Sequence, residues 1–215
     1  DAGDEAPHKK RRLNHEEWLC RHISRGKKVS PLMSVPGVTT KVFRRDWLHN
    51  ADQGISADLP GNLFKVFLSR LPGANKKVRR LLLLARIRDW YDANNVQDRI
   101  VGLRPWGIQA PKSAPKLKAN AACVRALIPY AYEECVNLLS ASDPKDQAMT
   151  QAAKSLLQCY NCLHHDSADW RTVLPMASRD FAVQYSALRQ SSQKKDWTIK
   201  PKMHQFLEMC AGCSK

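Results

Sequence analysis

The chain has 215 residues, of which 35 are Lys or Arg and 20 are Asp or Glu, so its formal net charge is +15 at neutral pH. Hydrophobic residues make up 43% of it, which is enough for a packed core and excludes disorder throughout the chain. The longest uninterrupted apolar stretch is 81–85, far shorter than the roughly 20 residues that span a bilayer, so we expect no membrane-spanning helix.

The positive charge is concentrated in the first half of the chain. Residues 1–118 contain 24 Lys and Arg against 11 Asp and Glu, a net charge of +13, whereas residues 119–215 contain 11 against 9, a net charge of +2. A field of this sign favours polyanions, either nucleic acid or an anionic membrane surface. The alternative interpretation is a charge excess that only keeps the protein soluble.

Four segments are predicted in chain order: a basic flexible arm with a short helix (1–28), a basic helical part that carries the motifs (29–101), a Pro/Lys connector (102–118) and a helical scaffold (119–215). The arm contains two basic clusters, Lys9–Arg12 and Arg25–Lys28, spaced as in a bipartite nuclear import signal. Between them, Glu16–Ile23 has the apolar spacing of a short amphipathic helix. The start lacks an initiator Met and an apolar signal region, which is typical of a fragment or an incomplete gene model.

The second segment is predicted to contain one strand and two helices. Residues 39–43 alternate and are β-branched, which favours a strand. Gly54 and Pro60-Gly61 are predicted to interrupt the chain before a helix over Asn62–Leu71. A further helix is expected from the N-cap Asn75 to about residue 94, and its four consecutive leucines predict a central position in the fold.

The last segment is predicted to be entirely helical, with helices at about 120–140, 144–164 and 168–192 and a short final helix over 201–210. The second of these has a clear start, because Asp143 is a good N-cap and Pro144 is suited to the first helical position. The fold class that follows is mainly α, with at most one or two short strands near residues 39–45.

Three residues in the stretch 44–54 are candidates for metal-dependent chemistry. Asp46, His49 and Asp52 are each three residues apart, so neighbouring pairs could meet on a helix although all three would not share one tight face. Their oxygens suit Mg2+ or Mn2+, with His49 as a borderline ligand. In the alternative interpretation, Asp46 caps the helix that follows the strand and His49 is a core histidine bonded to the backbone.

The cysteines suggest a second candidate metal site. Cys159 with Cys162, and Cys210 with Cys213, have the spacing that lets two thiolates bind one tetrahedral Zn2+. In the alternative interpretation, Cys159 and Cys162 are small hydrophobic residues of an apolar helix. The seven cysteines do not form the compact framework of a secreted domain, so we expect reduced thiols in an intracellular protein.

Basic side chains of the first half are the candidate contacts to nucleic acid. Contacts to phosphates position a protein on DNA without reading its sequence, so binding should depend steeply on salt. The candidates are Arg44, Arg45, Lys76, Lys77, Arg79, Arg80, Arg86, Arg88, Lys112, Lys116 and Lys118.

The chain resembles a known family at a set of ordered motifs. The stretch 46–54 (DWLHNADQG) resembles the D-x-x-H-x-x-D-x-G element of transposase-like proteins of the CACTA and Plavaka type. It is also similar to a large family from dinoflagellates that is related to them. Further motifs that support the dinoflagellate group are Leu59-Pro-Gly-Asn-Leu-Phe64, Leu71-Pro-Gly73, Pro115-Lys-Leu-Lys118 with Ala121-Ala122 and Arg125, and Trp197-x-x-Lys200-Pro-Lys-Met-His204.

The resemblance implies a piece of an RNase H-like DDE transposase, whose carboxylates hold two Mg2+ ions for strand cleavage and transfer. In that family the D-x-x-H element lies beside the catalytic core and a helical insertion domain follows it. This sequence departs from the family, because we identify no first-strand Asp upstream of residue 46, and the chain stops soon after His204, before the place where a last acid is expected. Two-metal chemistry needs carboxylates from several separated elements.

Three functional hypotheses follow. The leading one is a DNA-associated fragment of a transposase-like protein, which binds the phosphate backbone without complete catalytic machinery and belongs to a longer chain or an oligomer. The second is a Mg2+-dependent nuclease or transposase in which Asp46 and Asp52 ligate the metal and His49 positions water or phosphate. The third is a helical protein-interaction module with no role in nucleic-acid binding, marked by an exposed apolar stripe after residue 119.

Overall fold

A computed structural model describes residues 15–29, 31, 46–102, 108, 113–163, 169–192 and 195–212. Within these ranges the chain forms seven α-helices and one π-helix, without a strand, so the prediction of a mainly α fold is confirmed. The elements are α1 (His15–Ser24), the π-helix (Leu48–Ile55), α2 (Ser56–Arg70), α3 (Lys76–Ala93), α4 (Ala121–Leu138), α5 (Pro144–Asn161), α6 (Trp170–Gln190) and α7 (Pro201–Gly212). The strand predicted near 39–45 lies outside the described residues, as does the first half of the arm, residues 1–14.

The chain divides into two compact units, Asp1–Arg45 and Asp46–Lys215. In the first unit, the short helix predicted in the arm is confirmed as α1. It ends in a Schellman motif: Gly26 has a φ of 62°, the Lys27 N–H donates to the His22 carbonyl (3.0 Å), and the Gly26 N–H donates to the Ile23 carbonyl (2.9 Å). Glycine adopts this left-handed conformation without steric cost, so Gly26 fixes where α1 ends.

The core of the second unit lies between α2, α4, α5 and α6, and α7 closes over α6 and the π-helix. Aromatic side chains hold α7 in place. The ring centroids of Phe181 on α6 and Phe206 on α7 are 6.2 Å apart, and those of Tyr185 and Trp197 are 5.3 Å apart. Each of these four side chains is almost fully buried, and such burial stabilises a fold by roughly 1.5–3 kcal/mol per side chain.

Three helices begin at side-chain caps. The Asn75 side chain accepts hydrogen bonds from the first turn of α3, and the Asn120 side chain accepts one from the Cys123 N–H (2.8 Å) at the start of α4. Asp143 accepts from the Asp146 N–H (2.9 Å) at the start of α5. The predicted caps at Asn75 and Asp143 are therefore confirmed, and each typically contributes about 1 kcal/mol.

The predicted interruption is wrong at Pro60-Gly61, whereas at Gly54 the helical backbone does break, with φ of −97° and ψ of −106°. The π-helix runs directly into α2, which continues through Pro60 and Gly61 to Arg70. Proline removes one helical hydrogen bond. The fully buried side chains of Leu59 and Leu63 on either side of Pro60 offset that loss by packing into the core.

Gly61 is needed because another segment crosses α2 at that point. Residues 113–118, which we call the strap, lie so close that a Cβ at position 61 would be 2.5 Å from both Cα and N of Lys116. The Leu117 N–H donates to the carbonyl of Ala57 in α2 (2.8 Å). The strap is therefore held on α2 by a backbone hydrogen bond and by the absence of a side chain at Gly61.

The expectation that α3 is central is wrong. α3 packs mainly against α2 and buries one face, formed by Leu83, Leu84, Ile87 and Tyr91. Leu81 is 59% exposed. Consecutive leucines point in different directions around a helix, so a run of four does not require partners on every side.

An ion pair between the exposed Arg70 and the buried Asp146 ties α2 to the start of α5. Arg70 donates from both terminal nitrogens to the two carboxylate oxygens of Asp146, each at 2.6 Å, and the Ser140 N–H donates to one of these oxygens at 2.8 Å. This two-pronged geometry is the strong form of an Arg–carboxylate contact.

None of the helices in the described ranges is both long and apolar enough to cross a membrane.

Candidate nucleic-acid interface

Three of the six basic residues that the sequence assigns to DNA on α3 also hold the fold together. Arg86 pairs with the buried carboxylate of Glu134 on α4 at 2.6 Å. Arg79 donates to two backbone carbonyls, one at the end of α2 and one in the turn that follows it. Arg88 donates to a backbone carbonyl beyond α3 at 3.3 Å. These three guanidinium groups have structural contacts in addition to any role in binding.

A basic cleft lies between α2 and α3. It has a volume of about 360 Å³, and its charged lining residues are Lys65, Lys76, Arg79 and Arg80. Of these, Lys65 pairs with Asp196 (2.7 Å), whereas Lys76 and Arg80 form no hydrogen bond or ion pair within the described part of the chain. No acidic side chain among the described residues lines this α2–α3 cleft. The fold thus gathers four cationic groups at one concave surface.

The remaining predicted DNA contacts are distributed elsewhere. Lys77 is exposed on α3 and does not line the α2–α3 cleft. Lys116 and Lys118 lie on the strap and line a separate cleft near the π-helix. Arg44, Arg45 and Lys112 lie outside the described residues. The structure therefore places Lys76, Arg79 and Arg80 together, and Lys116 with Lys118.

The π-helix carries the D-x-x-H-x-x-D motif and is stabilised by lysines from distant segments. Its regular dihedral angles break at Gly54, which has φ of −97° and ψ of −106°. The Lys202 ammonium group on α7 donates to the carbonyl of His49 (2.7 Å), and the Lys116 ammonium group on the strap donates to the carbonyl of Gln53 (2.8 Å). Each lysine thus gives a carbonyl of the irregular helix a hydrogen bond from a distant segment.

Asp46 and His49 form an exposed pair. One carboxylate oxygen of Asp46 contacts the His49 ring nitrogen Nδ1, and the other accepts a hydrogen bond from the Leu48 N–H (2.8 Å). The hydrogen bond to His49 is the main reason that the pKa of Asp46 is lowered from 3.8. His49 is 63% exposed, so it is not the core histidine of the alternative interpretation.

Asp52 lies in a different environment from Asp46. It is 3% exposed, and it accepts a hydrogen bond from the Tyr160 hydroxyl (2.6 Å), which in turn contacts the Ser56 hydroxyl (2.6 Å). Among the described residues, no group of three His, Cys, Asp or Glu side chains is placed to hold a metal ion. The described residues of the motif therefore do not fit the two-metal centre that the transposase resemblance implies.

We expect Tyr160→Phe to lower the free energy of unfolding by about 2 kcal/mol. The substitution removes the hydroxyl that donates to Asp52 and leaves a buried carboxylate with one donor fewer. Urea unfolding measures the change. Tyr132→Phe is the matched control, because the Tyr132 hydroxyl forms no hydrogen bond within the described ranges, and its loss should cost less than about 0.5 kcal/mol. Equal effects of the two substitutions would contradict this role for Tyr160.

The three described cysteines of the candidate zinc site are buried. Cys159 and Cys210 are 0% exposed and Cys162 is buried beside them, whereas Cys213 lies outside the described residues. Burial is the main cause that raises the pKa of the Cys159 thiol, and the neighbouring Cys210 and Cys162 raise it further. A raised pKa favours the neutral thiol, which is the form that packs as a small hydrophobic side chain. The zinc site stays a prediction.

Three lysines and one buried acid at these sites were not among the functional residues predicted from the sequence. Lys65 lines the α2–α3 cleft, and Lys200 donates to the buried carboxylate of Asp58 (2.6 Å) near Lys202. Burial is the main cause that raises the pKa of Asp58, and the Lys200 ammonium group opposes that rise. Lys200 and Lys202 lie on either side of Pro201, the first residue of α7, within the motif 197–204 that the family resemblance includes. That motif was the sequence signal that could have identified these two lysines.

Comparison with known proteins gives no family for this chain. No protein-family model, curated protein or solved structure matches it. Function is therefore inferred from the charges and contacts of the α2–α3 cleft and of the π-helix region.

Proposed function

We propose that this chain binds DNA through the phosphate backbone, as the DNA-associated part of a transposase-like protein in the nucleus, without complete catalytic machinery of its own. The observation that carries the proposal is the α2–α3 cleft, in which Lys76 and Arg80 have no internal partner and no acid lines the wall among the described residues. Cationic groups that are not neutralised within the fold are the ones that replace counterions on DNA.

The arrangement of the cleft supports contact with a phosphate backbone more than base reading. Arg79 is fixed by its bonds to backbone carbonyls and so presents its charge from a set position, whereas the charge of Lys65 is largely offset by Asp196. Lys76 and Arg80 are free to move towards a phosphate. Contacts of this kind position DNA and carry no sequence information directly.

The first test measures DNA binding as a function of salt. We expect a duplex of about 20 base pairs to bind at about 50 mM salt, and the affinity to fall linearly on a log–log plot as salt increases. In the double variant Lys76→Ala/Arg80→Ala the slope should become shallower by about 2, because each phosphate contact contributes about 0.9. Fluorescence anisotropy with labelled duplexes of two unrelated sequences gives both the slope and the sequence preference.

A matched control separates the cleft from net charge alone. Lys145→Ala/Lys154→Ala removes two positive charges from exposed positions on α5, outside the cleft. We expect this control to keep the wild-type slope to within about 0.5. If both double variants changed the slope equally, or if wild type bound no DNA at about 50 mM salt, the proposal would be overturned.

The interaction-module hypothesis is favoured by a separate observation. On α6, Met176 is 60% exposed and Val183 is 63% exposed, and their spacing of seven residues puts them on one side of the helix with Val173. This is the apolar stripe after residue 119 that the hypothesis requires. If no DNA bound and Met176→Glu/Val183→Glu abolished self-association in light scattering, this second function would replace the first.

A further inference from the structure

A second basic cleft lies beside the π-helix. It has a volume of about 470 Å³ and is built from three segments that are distant in sequence: the π-helix supplies Gln53, the strap supplies Lys116 and Lys118, and α7 supplies Lys202. We call it the lysine cleft. It shares no residue with the α2–α3 cleft, so the two clefts can be tested with separate variants.

Two of its lysines are held in place while keeping donors available. Lys116 uses one N–H on the carbonyl of Gln53 (2.8 Å), and Lys202 uses one on the carbonyl of His49 (2.7 Å). An ammonium group has three donors, so each keeps two for a ligand. Lys118 is exposed and makes no hydrogen bond within the described part of the chain. The cleft is thus partly preorganised, with one adaptable lysine at its edge.

The charge around the cleft is unbalanced. The carboxylate of Asp58 is bound by Lys200 at 2.6 Å, and the charges of Lys116 and Lys202 also act on it. Burial is the main cause that lowers the pKa of Lys116; the Asp58 carboxylate opposes this shift, and the charges of Lys200 and Lys202 add to it. Like charges held near each other repel, so an anion in the cleft would be stabilised by several ammonium groups at once.

We propose that the lysine cleft binds a phosphate group. A phosphate offers several acceptor oxygens to ammonium donors from Lys116, Lys118 and Lys202, and its charge matches the excess of the cleft. The phosphate can belong to free inorganic phosphate, to the end of a DNA strand or to the DNA backbone. All three present the same chemistry to the lysines, and the arms of the experiment tell them apart.

The competing explanation is that the lysines only support the irregular π-helix. Lys116 and Lys202 would then be occupied by the carbonyls that they contact, and Lys118 would have no function in the cleft. Lys118 therefore decides between the two explanations, because its replacement removes a phosphate donor without removing a contact of the π-helix.

The test is a titration with sodium phosphate, followed by NMR of the backbone amides and compared with sodium chloride at equal ionic strength. We expect saturable shifts at Gln53 and Leu117 with phosphate only. Lys118→Gln and Lys202→Gln should each weaken phosphate binding by about fivefold or more, whereas Lys154→Gln on α5 should leave it unchanged. Far-ultraviolet circular dichroism checks that each variant is folded.

Two further arms identify the source of the phosphate. The same variants are tested with a short duplex that has either 5′-phosphates or 5′-hydroxyls. If wild type prefers the 5′-phosphorylated duplex and Lys118→Gln removes that preference, the phosphate belongs to a DNA end. If Lys118→Gln weakens the binding of both duplexes equally, the phosphate belongs to the DNA backbone. If it weakens the binding of neither, the ligand is free phosphate. Absence of saturable phosphate binding in wild type, or equal weakening by Lys118→Gln and Lys154→Gln, would overturn the inference and leave the α2–α3 cleft proposal standing.

Discussion

Gly61→Ala is expected to lower the free energy of unfolding by about 3 kcal/mol, the upper end of the cost of overpacking. The new Cβ would be 2.5 Å from both the Cα and the N of Lys116, and 2.7 Å from the N of Leu117. These are backbone atoms, so no side-chain rotation relieves the collision. Either the strap moves away from α2 or α2 moves out of the core. Urea unfolding measures the loss.

The strap itself gives a second measurement of the same substitution. The Leu117 N–H donates to the Ala57 carbonyl across this contact, so hydrogen exchange at Leu117 should become much faster in Gly61→Ala. Gly102→Ala is the matched control, because nothing lies within 4 Å of the Cβ that it adds. Gly102→Ala should keep the stability or raise it slightly, because replacing Gly lowers the entropy of the unfolded chain. A loss as large as in Gly61→Ala would show that contact with the strap is not the cause.

Gly61 also shows why parts of the fold could be predicted from sequence and others could not. Asn75 and Asp143 were identified as helix caps because a cap depends on residues within one turn of itself. The Pro60-Gly61 pair has the local signal of a turn, but its role depends on the strap, which lies more than 50 residues later in the chain. Tertiary packing of Leu59 and Leu63 overrode the local preference.

The candidate DNA-binding site, like the fold, could be predicted from the sequence only in part. Clustering of Lys and Arg in the first half pointed to Lys76 and Arg80 on α3, and the structure places both in the α2–α3 cleft. The internal ion pair of Arg86 with Glu134 joins residues 48 positions apart, and no local pattern reveals it. The sequence interpretation of Asp46, His49 and Asp52 assumed that the D-x-x-H-x-x-D motif forms an α-helix.

The motif instead lies largely on a π-helix, whose wider turns change which residues face the same way. Asp46 and His49 meet at the surface at its start, while Asp52 points into the core towards Tyr160. A spacing of three therefore did not predict a shared site. The local sequence contains no signal for the lysines that support this irregular helix, because Lys116 and Lys202 come from distant segments.

Replacing Lys200 is expected to destabilise the protein in a pH-dependent way. Burial raises the pKa of Asp58 above 3.8, and Lys200 opposes the rise. Between the unfolded and folded pKa values the folded state holds more protons, so the stability that Asp58 contributes falls as pH increases through that window. In Lys200→Met the folded pKa of Asp58 is higher still, so the fall continues to higher pH than in wild type.

The expected result is a stability difference that grows with pH. At about pH 7, Lys200→Met should be less stable than wild type by about 2 kcal/mol. This is less than the 3–5 kcal/mol typical of breaking a fully buried pair, because Lys200 is one-third exposed and Lys116 and Lys202 still attract Asp58. At about pH 4 the difference should shrink, since a larger share of the Asp58 carboxyl group is then neutral in both folded proteins.

Urea unfolding of both proteins at intervals between about pH 4 and pH 7 measures this difference. Lys154→Met on α5 is the control, because it removes the same charge from an exposed position and should give a curve parallel to that of wild type. A constant difference between Lys200→Met and wild type across the range would mean that Lys200 stabilises the fold by packing, independently of the charge on Asp58. A difference that grows with pH assigns the stabilisation to the ion pair that anchors α7 on α2.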